Sequence, residues 1–260
     1  MRNSFAIAKK ELNIYFATPI AYVMFTLFVV VGSYYFVNLV SQYEAISKQL
    51  MMQQNQEMLS RLNFQDIIFR NLFGFLGIIL VFIVPFLTMR LIAEERRAKT
   101  LELLYTTPVT PIEIVLGKYF ASLTVLVCAL GLTLLYPVLV EKFAGQTGVE
   151  WRSVLLGYLG LFLLGSAFLS IGLFISALTE SQVVAALLTF VSLLMLWIIG
   201  WAAQSADGIA KELLQYSAAV GHLDSFSKGT IDLKDIVYFL SVIVLGLFAT
   251  HRAIEAHRWS

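Results

Sequence analysis

The chain has 260 residues, of which 59% are apolar and only 13% are charged, and its formal net charge is +1. A soluble domain of this length normally carries charge on about 25% of its residues, so the composition excludes an ordinary soluble protein and indicates the membrane class. A net charge so close to zero gives no reason to expect a nucleic acid as partner. The single cysteine, Cys128, cannot form a disulfide within the chain.

The segment SFAIAKKELNIYFATP precedes the first long apolar stretch. On a helical wheel one face collects apolar residues and another collects polar ones. The apolar face holds Phe5, Ala8, Leu12, Tyr15 and Phe16, and the polar face holds Lys9, Lys10 and Asn13. We predict that residues 1–19 form a helix lying in the cytoplasmic interface, with a simple anchor for the first span as the alternative. No signal-peptide cleavage pattern occurs, so we expect the first span to remain in the mature protein.

Six apolar stretches are long enough to cross a bilayer, which takes about 20 helical residues for a hydrocarbon core of roughly 30 Å. Backbone groups in lipid must be bonded within their segment, and the alternating short segments of a membrane barrel are missing from the sequence. We therefore predict an all-α integral membrane protein with six transmembrane helices in one domain over residues 1–260. The predicted spans are Ile20–Val40, Leu72–Thr88, Ile112–Val140, Val154–Ala177, Val183–Ala203 and Ile236–Thr250.

An even number of spans places both termini on one side of the membrane. The Lys and Arg residues near the span ends favour the cytoplasm for that side, so we predict a multi-pass protein of the bacterial inner membrane with both termini cytoplasmic. The two long loops, 41–70 and 204–235, then lie outside. None of the spans has a charge near its centre, and we take all six as free of buried ionisable groups, which argues against a proton-coupled carrier.

Charge is concentrated between the second and third spans, in the run AEERRAKTLELL at residues 93–104. Its charged side chains are Glu94, Glu95, Arg96, Arg97, Lys99 and Glu102. The following TLELLYTTP is long enough for about two helical turns, with Leu101, Leu104 and Tyr105 on one apolar edge and a stop at Pro108. The loop 90–111 is therefore predicted to contain a short amphipathic helix that can transmit motion across the membrane surface. An ordinary solvated loop would also be charged, so both interpretations stay open at this point.

The third span has a clear start signal. Thr110 is a predicted N-cap, Pro111 suits the first helical position, and Glu113 completes a capping box.

Small residues are frequent in the fourth span, and we attribute them to tight packing within the subunit. They include Gly157, Gly160, Gly165, Ser166, Ser170 and Gly172. In the last loop, His222 and Asp224 are too few for a zinc site, which needs three or four ligands. Asp232 is the predicted N-cap of the last span, and Asp235 is favoured in its first turn.

Four stretches resemble the ABC type-2 membrane-subunit family. EERRAKTLELLYTTPVTPIEIVLGK is similar to the family signature of an acidic–basic cluster, Thr-x-Glu-x-Leu, a proline and a closing Val-Leu-Gly-Lys. KKELNIYFATPIAYV resembles the N-terminal segment of the family, and SAFLSIGLFISALTESQVVA resembles its fourth span with the loop that follows. HLDSFSKGTIDLKDIVYFLS resembles the approach to the last span. Within the family, the gliding-motility ABC permeases are the most similar group.

The resemblance implies a six-span permease of the type V exporter kind, pairing with itself or with a homologous permease and binding two ABC ATPase subunits. By that similarity Thr100–Tyr105 is the cytoplasmic coupling helix between spans 2 and 3, and Lys9–Tyr15 belongs to a connecting helix. The implied ATPase-coupling residues are Glu94, Glu95, Arg96, Arg97, Thr100, Leu101, Glu102, Leu104, Tyr105 and Glu180. The implied connecting-helix residues are Lys9, Lys10, Glu11 and Tyr15. The implied outer-gate or structural residues are His222, Phe226, Asp232 and Asp235.

The chain lacks a phosphate loop, since Gly117-Lys118 is followed by Tyr119 and has no earlier glycine. We therefore expect no catalytic, metal or cofactor site in this chain, with ATP and Mg bound by the partner ATPase. The expected function is export of a lipid-like, polymeric or envelope- or motility-related substrate, with aromatic and methionine side chains of spans two and five lining the path. Two alternatives stay open: a mechanotransmission or scaffold subunit acting on periplasmic or envelope partners, and an autonomous channel or carrier.

Overall fold

A computed structural model describes residues 2–53, 65–99, 109–143, 149–202 and 207–258, and throughout these residues every regular element is a helix. The predicted all-α fold is confirmed. The elements are α1 (Arg2–Ala17), α2 (Pro19–Met52), a π-helical turn (Asp66–Arg70) leading into α3 (Asn71–Thr88), α4 (Ala93–Arg97), α5 (Pro111–Thr133), α6 (Leu135–Phe143), α7 (Trp151–Leu178), α8 (Gln182–Ala202), α9 (Gly208–Ser217), α10 (Ala219–Ser227) and α11 (Leu233–Arg258).

Six helical segments in the described part of the chain are long and apolar enough to cross a bilayer, as predicted. They are Pro19–Met52, Ile67–Arg97, Pro111–Lys142, Trp151–Leu178, Gln182–Ala202 and Leu233–Ala256. The first is longer than its predicted span, because residues 41–52 contain neither glycine nor proline and continue α2 as helix. The loop 204–235 likewise holds two short helices, α9 and α10.

The predicted start of the third span is confirmed in detail. The Glu113 N–H donates to Thr110 Oγ1 over 3.4 Å, and the Thr110 N–H donates to Glu113 Oε2 over 3.1 Å. This reciprocal pair is a capping box, which satisfies two backbone donors that the first helical turn leaves unbonded. Glu113 Oε2 also accepts from Asn3 Nδ2 over 3.3 Å, so the cap links α1 to the start of α5.

The third span is interrupted between α5 and α6 for a reason visible in the sequence. Pro137 has no N–H to donate to the carbonyl four residues earlier, at Thr133. That carbonyl accepts a hydrogen bond from the Tyr158 hydroxyl of α7 over 2.7 Å. A side chain from a neighbouring span therefore takes the place of the helix's own donor.

The second span has an arginine at each end, and these two residues identify the two ends of the bundle. Arg70 bonds Asp224 of α10, whereas Arg90, just after α3, lies over the ring of Tyr15 in α1. We call the end that holds α1 and α4 the α1 face, and the end that holds α9 and α10 the α10 face.

The centre of the bundle is α7, which packs against α3, α5, α8, α10 and α11. Its small residues lie where neighbouring helices approach most closely. A Cβ at Gly157 would lie 2.0 Å from Phe73 Cε2 of α3, and one at Gly165 would lie 2.6 Å from Leu126 Cδ2 of α5. The small residues of the fourth span therefore serve packing inside the subunit, as the sequence predicts.

Replacing Gly157 by alanine should destabilise the bundle by about 1–3 kcal/mol, because the added methyl group overlaps the Phe73 ring. Gly131→Ala is the matched control: it also lies inside a helix, and none of the described residues comes within 4 Å of a Cβ built there. The measurement is the unfolding midpoint of each variant in the same detergent. Equal midpoints for the two variants would contradict the packing role of Gly157.

Candidate functional site

The α1 face contains a buried cluster of three charged side chains. Lys118 of α5 donates from Nζ to Glu11 Oε1 of α1 and to Glu95 Oε1 of α4, each over 2.8 Å. Only 1% of the Lys118 side chain is exposed, and both carboxylates are largely buried. One ammonium group therefore joins three separate elements. We call Glu11, Glu95 and Lys118 the triad.

An ammonium group that is buried away from water is costly in free energy unless a carboxylate compensates its charge. Removing one partner of such a pair typically costs about 3–5 kcal/mol, because the remaining charge is left buried and uncompensated. The positions of α1, α4 and α5 therefore depend on one another, since removal of Lys118 would leave two carboxylates buried without their counter-charge.

The triad corrects one sequence expectation. Lys118 lies within the predicted span Ile112–Val140, so the expectation that all six spans are free of buried ionisable groups is wrong at this position. The dipeptide Gly117-Lys118 is the sequence feature that could have indicated this buried charge, because a glycine next to a lysine permits another helix to pack closely there. A Cβ at Gly117 would lie 2.8 Å from Ile7 Cβ, so the glycine lets α1 approach α5 closely and brings Glu11 within reach of the lysine.

The buried face of α1 also differs from the predicted wheel. Ala8, Glu11 and Tyr15 are buried, whereas Phe5 and Phe16 are exposed. An acidic residue thus belongs to the packed face because Lys118 neutralises it there. Lys9 and Lys10, two further predicted residues of this helix, are exposed.

Tyr15 fastens the C-terminal part of α1 to the end of the second span. Its buried hydroxyl donates to the carbonyl of Leu87, and the Arg90 guanidinium lies 4.8 Å from its ring centre. Arg90 in turn donates to Thr18 Oγ1 over 3.2 Å. Burial raises the pKa of the Tyr15 hydroxyl, an effect that the nearby Arg90 charge only partly offsets. The hydroxyl therefore keeps its proton and remains a donor at neutral pH.

The turn from α3 into α4 is held by one hydroxyl of the fourth span. Ser176 Oγ of α7 accepts from the Ile92 and Ala93 N–H groups, over 3.1 Å each, and it donates to the Met89 carbonyl over 3.3 Å. A serine hydroxyl has one hydrogen to donate and two lone pairs, so this arrangement uses its full capacity. The bonds fix the position of α4 relative to α7.

Two of the predicted coupling residues meet at the end of α7. Arg96 donates from Nη1 to the Ala177 carbonyl, and its Nη2 lies 3.8 Å from Glu180 Oε1. Glu180 is 68% exposed, so the ion pair itself contributes little and the backbone bond carries the contact. Glu94 and Arg97 are exposed on α4.

Five predicted coupling residues lie outside the described residues, namely Thr100, Leu101, Glu102, Leu104 and Tyr105. The described chain reaches Lys99, whose φ of 55° turns it away from the helical path. A cleft of about 210 Å³ opens between α1 and α4 next to the triad. It is lined by the triad together with Lys10, Ile14, Arg90, Leu91, Glu94 and Ala98.

The four predicted residues at the α10 face fall into two environments. His222 and Asp235 are buried against each other with Nδ1 and Oδ1 2.6 Å apart, and Phe226 is buried with its ring 6.3 Å from that of Phe239. Asp232 is exposed directly before α11, and its backbone carbonyl accepts from the Asp235 N–H over 3.0 Å. Within the described residues, no three His, Cys, Asp or Glu side chains come together as a metal site.

Asp224 ties the same face to the start of the second span. Its carboxylate accepts two bonds from Arg70, over 2.7 and 3.1 Å, and lies 2.6 Å from Lys228 Nζ. Burial alone would raise the pKa of Asp224, but the bonds from Arg70 and Lys228 outweigh it and hold that pKa below its usual range. The stabilisation is present at neutral pH and is lost only as the pH falls through the lowered pKa.

These features define a multi-pass helical membrane protein with bonded charged side chains at both ends of the bundle, buried in the triad and partly exposed around Asp224. The sequence pattern of the family described as ABC-2 family transporter protein matches residues 5–251, and the chain belongs to that family. The family consists of membrane subunits of ABC transporters, so the chain is a membrane subunit of such a transporter. No curated protein matches the chain.

Ser176→Ala should destabilise the junction between α3 and α4, because it leaves the Ile92 and Ala93 N–H groups buried without their acceptor. Each unbonded donor costs about 1–3 kcal/mol. Ser241→Ala is the matched control, since that exposed hydroxyl bonds the Tyr238 carbonyl of its own helix. Limited proteolysis near residues 97–99 should become faster for Ser176→Ala alone. An unchanged rate would show that the hydroxyl does not hold the junction.

Proposed function

We propose that this chain forms the membrane translocation pathway as a dimer and is driven by ATP hydrolysis in a separate pair of ABC ATPase subunits, which dock at the α1 face. The observation that carries the proposal is the bridge of Lys118 to both Glu11 and Glu95. It links the N-terminal helix, the segment leading to the coupling loop and the third span at one point.

The triad lies directly beside the segment to which force would be applied. α4 ends at Arg97, and the proposed coupling helix Thr100–Tyr105 follows it. A displacement of that helix pulls first on α4. Through Glu95 and Lys118 the displacement reaches α1 and α5, and through Ser176 and Arg96 it reaches the end of α7. Contacts that are costly to break transmit such a movement rather than absorb it.

This role places the α1 face in the cytoplasm, where ATP is available, and the α10 face outside. The Lys and Arg residues of the N-terminus, the charged run and the C-terminal tail favour the same orientation. The membrane is then the inner membrane of a bacterium, with export as the direction of transport.

An apolar cavity between α3 and α8 supports the proposal that the substrate is lipid-like. It measures about 490 Å³, and the rings of Phe82 and Phe190 meet in it at 5.1 Å. Its remaining lining is Pro85, Phe86, Met89, Val183, Ala186 and Leu187. This surface is almost wholly apolar, which suits an acyl chain or another amphipathic molecule; a polymeric, envelope-related or motility-related cargo is compatible where it presents an apolar part.

A second candidate function is mechanotransmission to envelope partners without transport. α9 favours it, since Ile209, Leu213 and Tyr216 form an exposed stripe along one face of this helix at the α10 face. An autonomous channel or carrier is the third possibility, which flux through liposomes without any ATPase would reveal.

Co-purification with the ATPase encoded nearest the gene tests whether the chain is an ATPase-coupled permease. We expect a complex with two copies of each chain and a vanadate-sensitive ATPase activity. If the chain purifies alone under all conditions, ATPase coupling is wrong and the channel is favoured. A complex that also retains envelope proteins but moves no lipid in vesicles would favour mechanotransmission.

Glu95→Gln should weaken coupling while leaving the complex intact, because it removes one charge of the triad but preserves side-chain size and the Lys118–Glu11 pair. We expect stimulation of the partner's ATPase to fall roughly 2- to 30-fold, corresponding to about 0.5–2 kcal/mol of coupling. Glu44→Gln is the matched control, since Glu44 is exposed on α2 and pairs with Lys48. If Glu95→Gln stimulates the ATPase fully, the triad does not take part in coupling.

A further inference from the structure

The buried imidazole of His222 faces a hydrogen-bond acceptor at each ring nitrogen. Nδ1 lies 2.6 Å from Asp235 Oδ1, and Nε2 lies 2.8 Å from the Tyr216 carbonyl oxygen. The ring of Tyr238 stacks on the imidazole with centres 4.0 Å apart, and the ring of Tyr216 meets it edge-on. His222 is only 5% exposed, so bulk water does not supply alternative partners.

These two contacts determine how many protons the pair holds. A backbone carbonyl can only accept, so Nε2 must carry a hydrogen. A neutral imidazole with that hydrogen has a bare lone pair at Nδ1, which would face a carboxylate oxygen at 2.6 Å. A second proton must therefore lie between Nδ1 and Oδ1. Whether it belongs to an imidazolium or to a carboxylic acid, the pair has the same number of protons and no net charge.

The surroundings oppose loss of that proton. Asp235 is 1% exposed, and its Oδ2 has no hydrogen-bond partner among the described residues. Without the shared proton the pair would carry one buried negative charge with no cation bound to it, which is costly.

The charged groups nearby are engaged elsewhere or exposed. Asp224 of α10 is bound by Arg70 and Lys228. Lys234 at the start of α11 pairs with Asp232 and is 65% exposed, and its charge also interacts with Asp235. The charged residues of α9, Lys211 and Glu212, are exposed. α3 and α7 meet α10 through glycines, Gly77 against Leu223 and Gly160 against Phe226. The one charged residue of α7, Arg152, is exposed, and α8, which also packs against α10, has none.

We propose that the proton shared by His222 and Asp235 is a pH-sensitive lock that closes the α10 face. The three bonded residues sit on three successive elements: Tyr216 in α9, His222 in α10 and Asp235 in the first turn of α11. With the proton in place they are drawn together. Its removal sets the Nδ1 lone pair against the carboxylate, so the contact opens and α9 is released. The lock is closed at low pH and opens as the pH rises.

The protonation state can be read directly from nitrogen-15 NMR of the histidine-labelled protein in nanodiscs, with the His222 signals assigned by their loss in His222→Gln. At pH 7 we expect Nε2 to be protonated and Nδ1 to share a proton with the carboxylate. A neutral ring that is protonated at Nδ1 and bare at Nε2 would overturn the assignment. The protonation state is read from the wild-type spectrum, and His222→Gln is needed only to assign its signals among the three histidines of the chain.

Asp235→Asn tests the lock itself. The asparagine amide can donate from Nδ2 to a bare Nδ1 while Nε2 still donates to Tyr216, so the variant reproduces the closed contact without a titrating proton. Hydrogen exchange of the α9 peptide is compared between wild type and variant at each pH from 6 to 9, which cancels the intrinsic pH dependence of exchange. We expect a ratio near one at pH 6 and, over the pH range in which opening releases the shared proton, a rise of up to tenfold per pH unit, as one linked proton requires. A ratio that stays constant over this range would overturn the lock.

Discussion

The structure at the α1 face depends on the need to compensate one buried positive charge. Lys118 is at the start of a membrane span, where an unpaired ammonium group would be costly. It is stable there because α1 and α4 each bring a carboxylate to 2.8 Å. The short N-terminal helix and the five-residue α4 have little stability of their own. Their positions follow from the lysine that both must reach.

Close packing of the apolar interior makes this charge compensation possible, because it brings helices near enough for side chains to bond across them. α7 contacts the helices around it through glycine and serine, so backbones approach closely enough for single side chains to bridge elements. Ser176 reaches the turn before α4, and Tyr158 reaches the carbonyl that Pro137 leaves unbonded in the neighbouring span. The small residues of the fourth span therefore do more than fill space, since they place the few polar groups within bonding distance of their partners.

Buried polar contacts at the two faces differ in what they respond to. The triad combines one cation with two acids and links elements next to the proposed docking point of an ATPase. At the α10 face, His222 and Asp235 form a pair that is neutral only while it holds a shared proton. A mechanical input at one end and a proton at the other would then act on the same bundle, connected through α3 and α7, which run between the faces.

Much of the fold was determined by local sequence alone. Six apolar stretches require six helices because lipid offers the backbone no other partner, and Thr110, Pro111 and Glu113 specify a capping box within a single turn. The family resemblance of the charged run implies that Glu95 and Arg96 lie where the ATPase docks, and this role stays a prediction. Only the tertiary structure decided their partners. Lys118 bonds Glu11, which is 107 residues away in the chain, and His222 of α10 contacts Asp235 of α11. Such pairs form only where two helix faces approach each other in the folded protein. A local sequence pattern does not specify which faces these are.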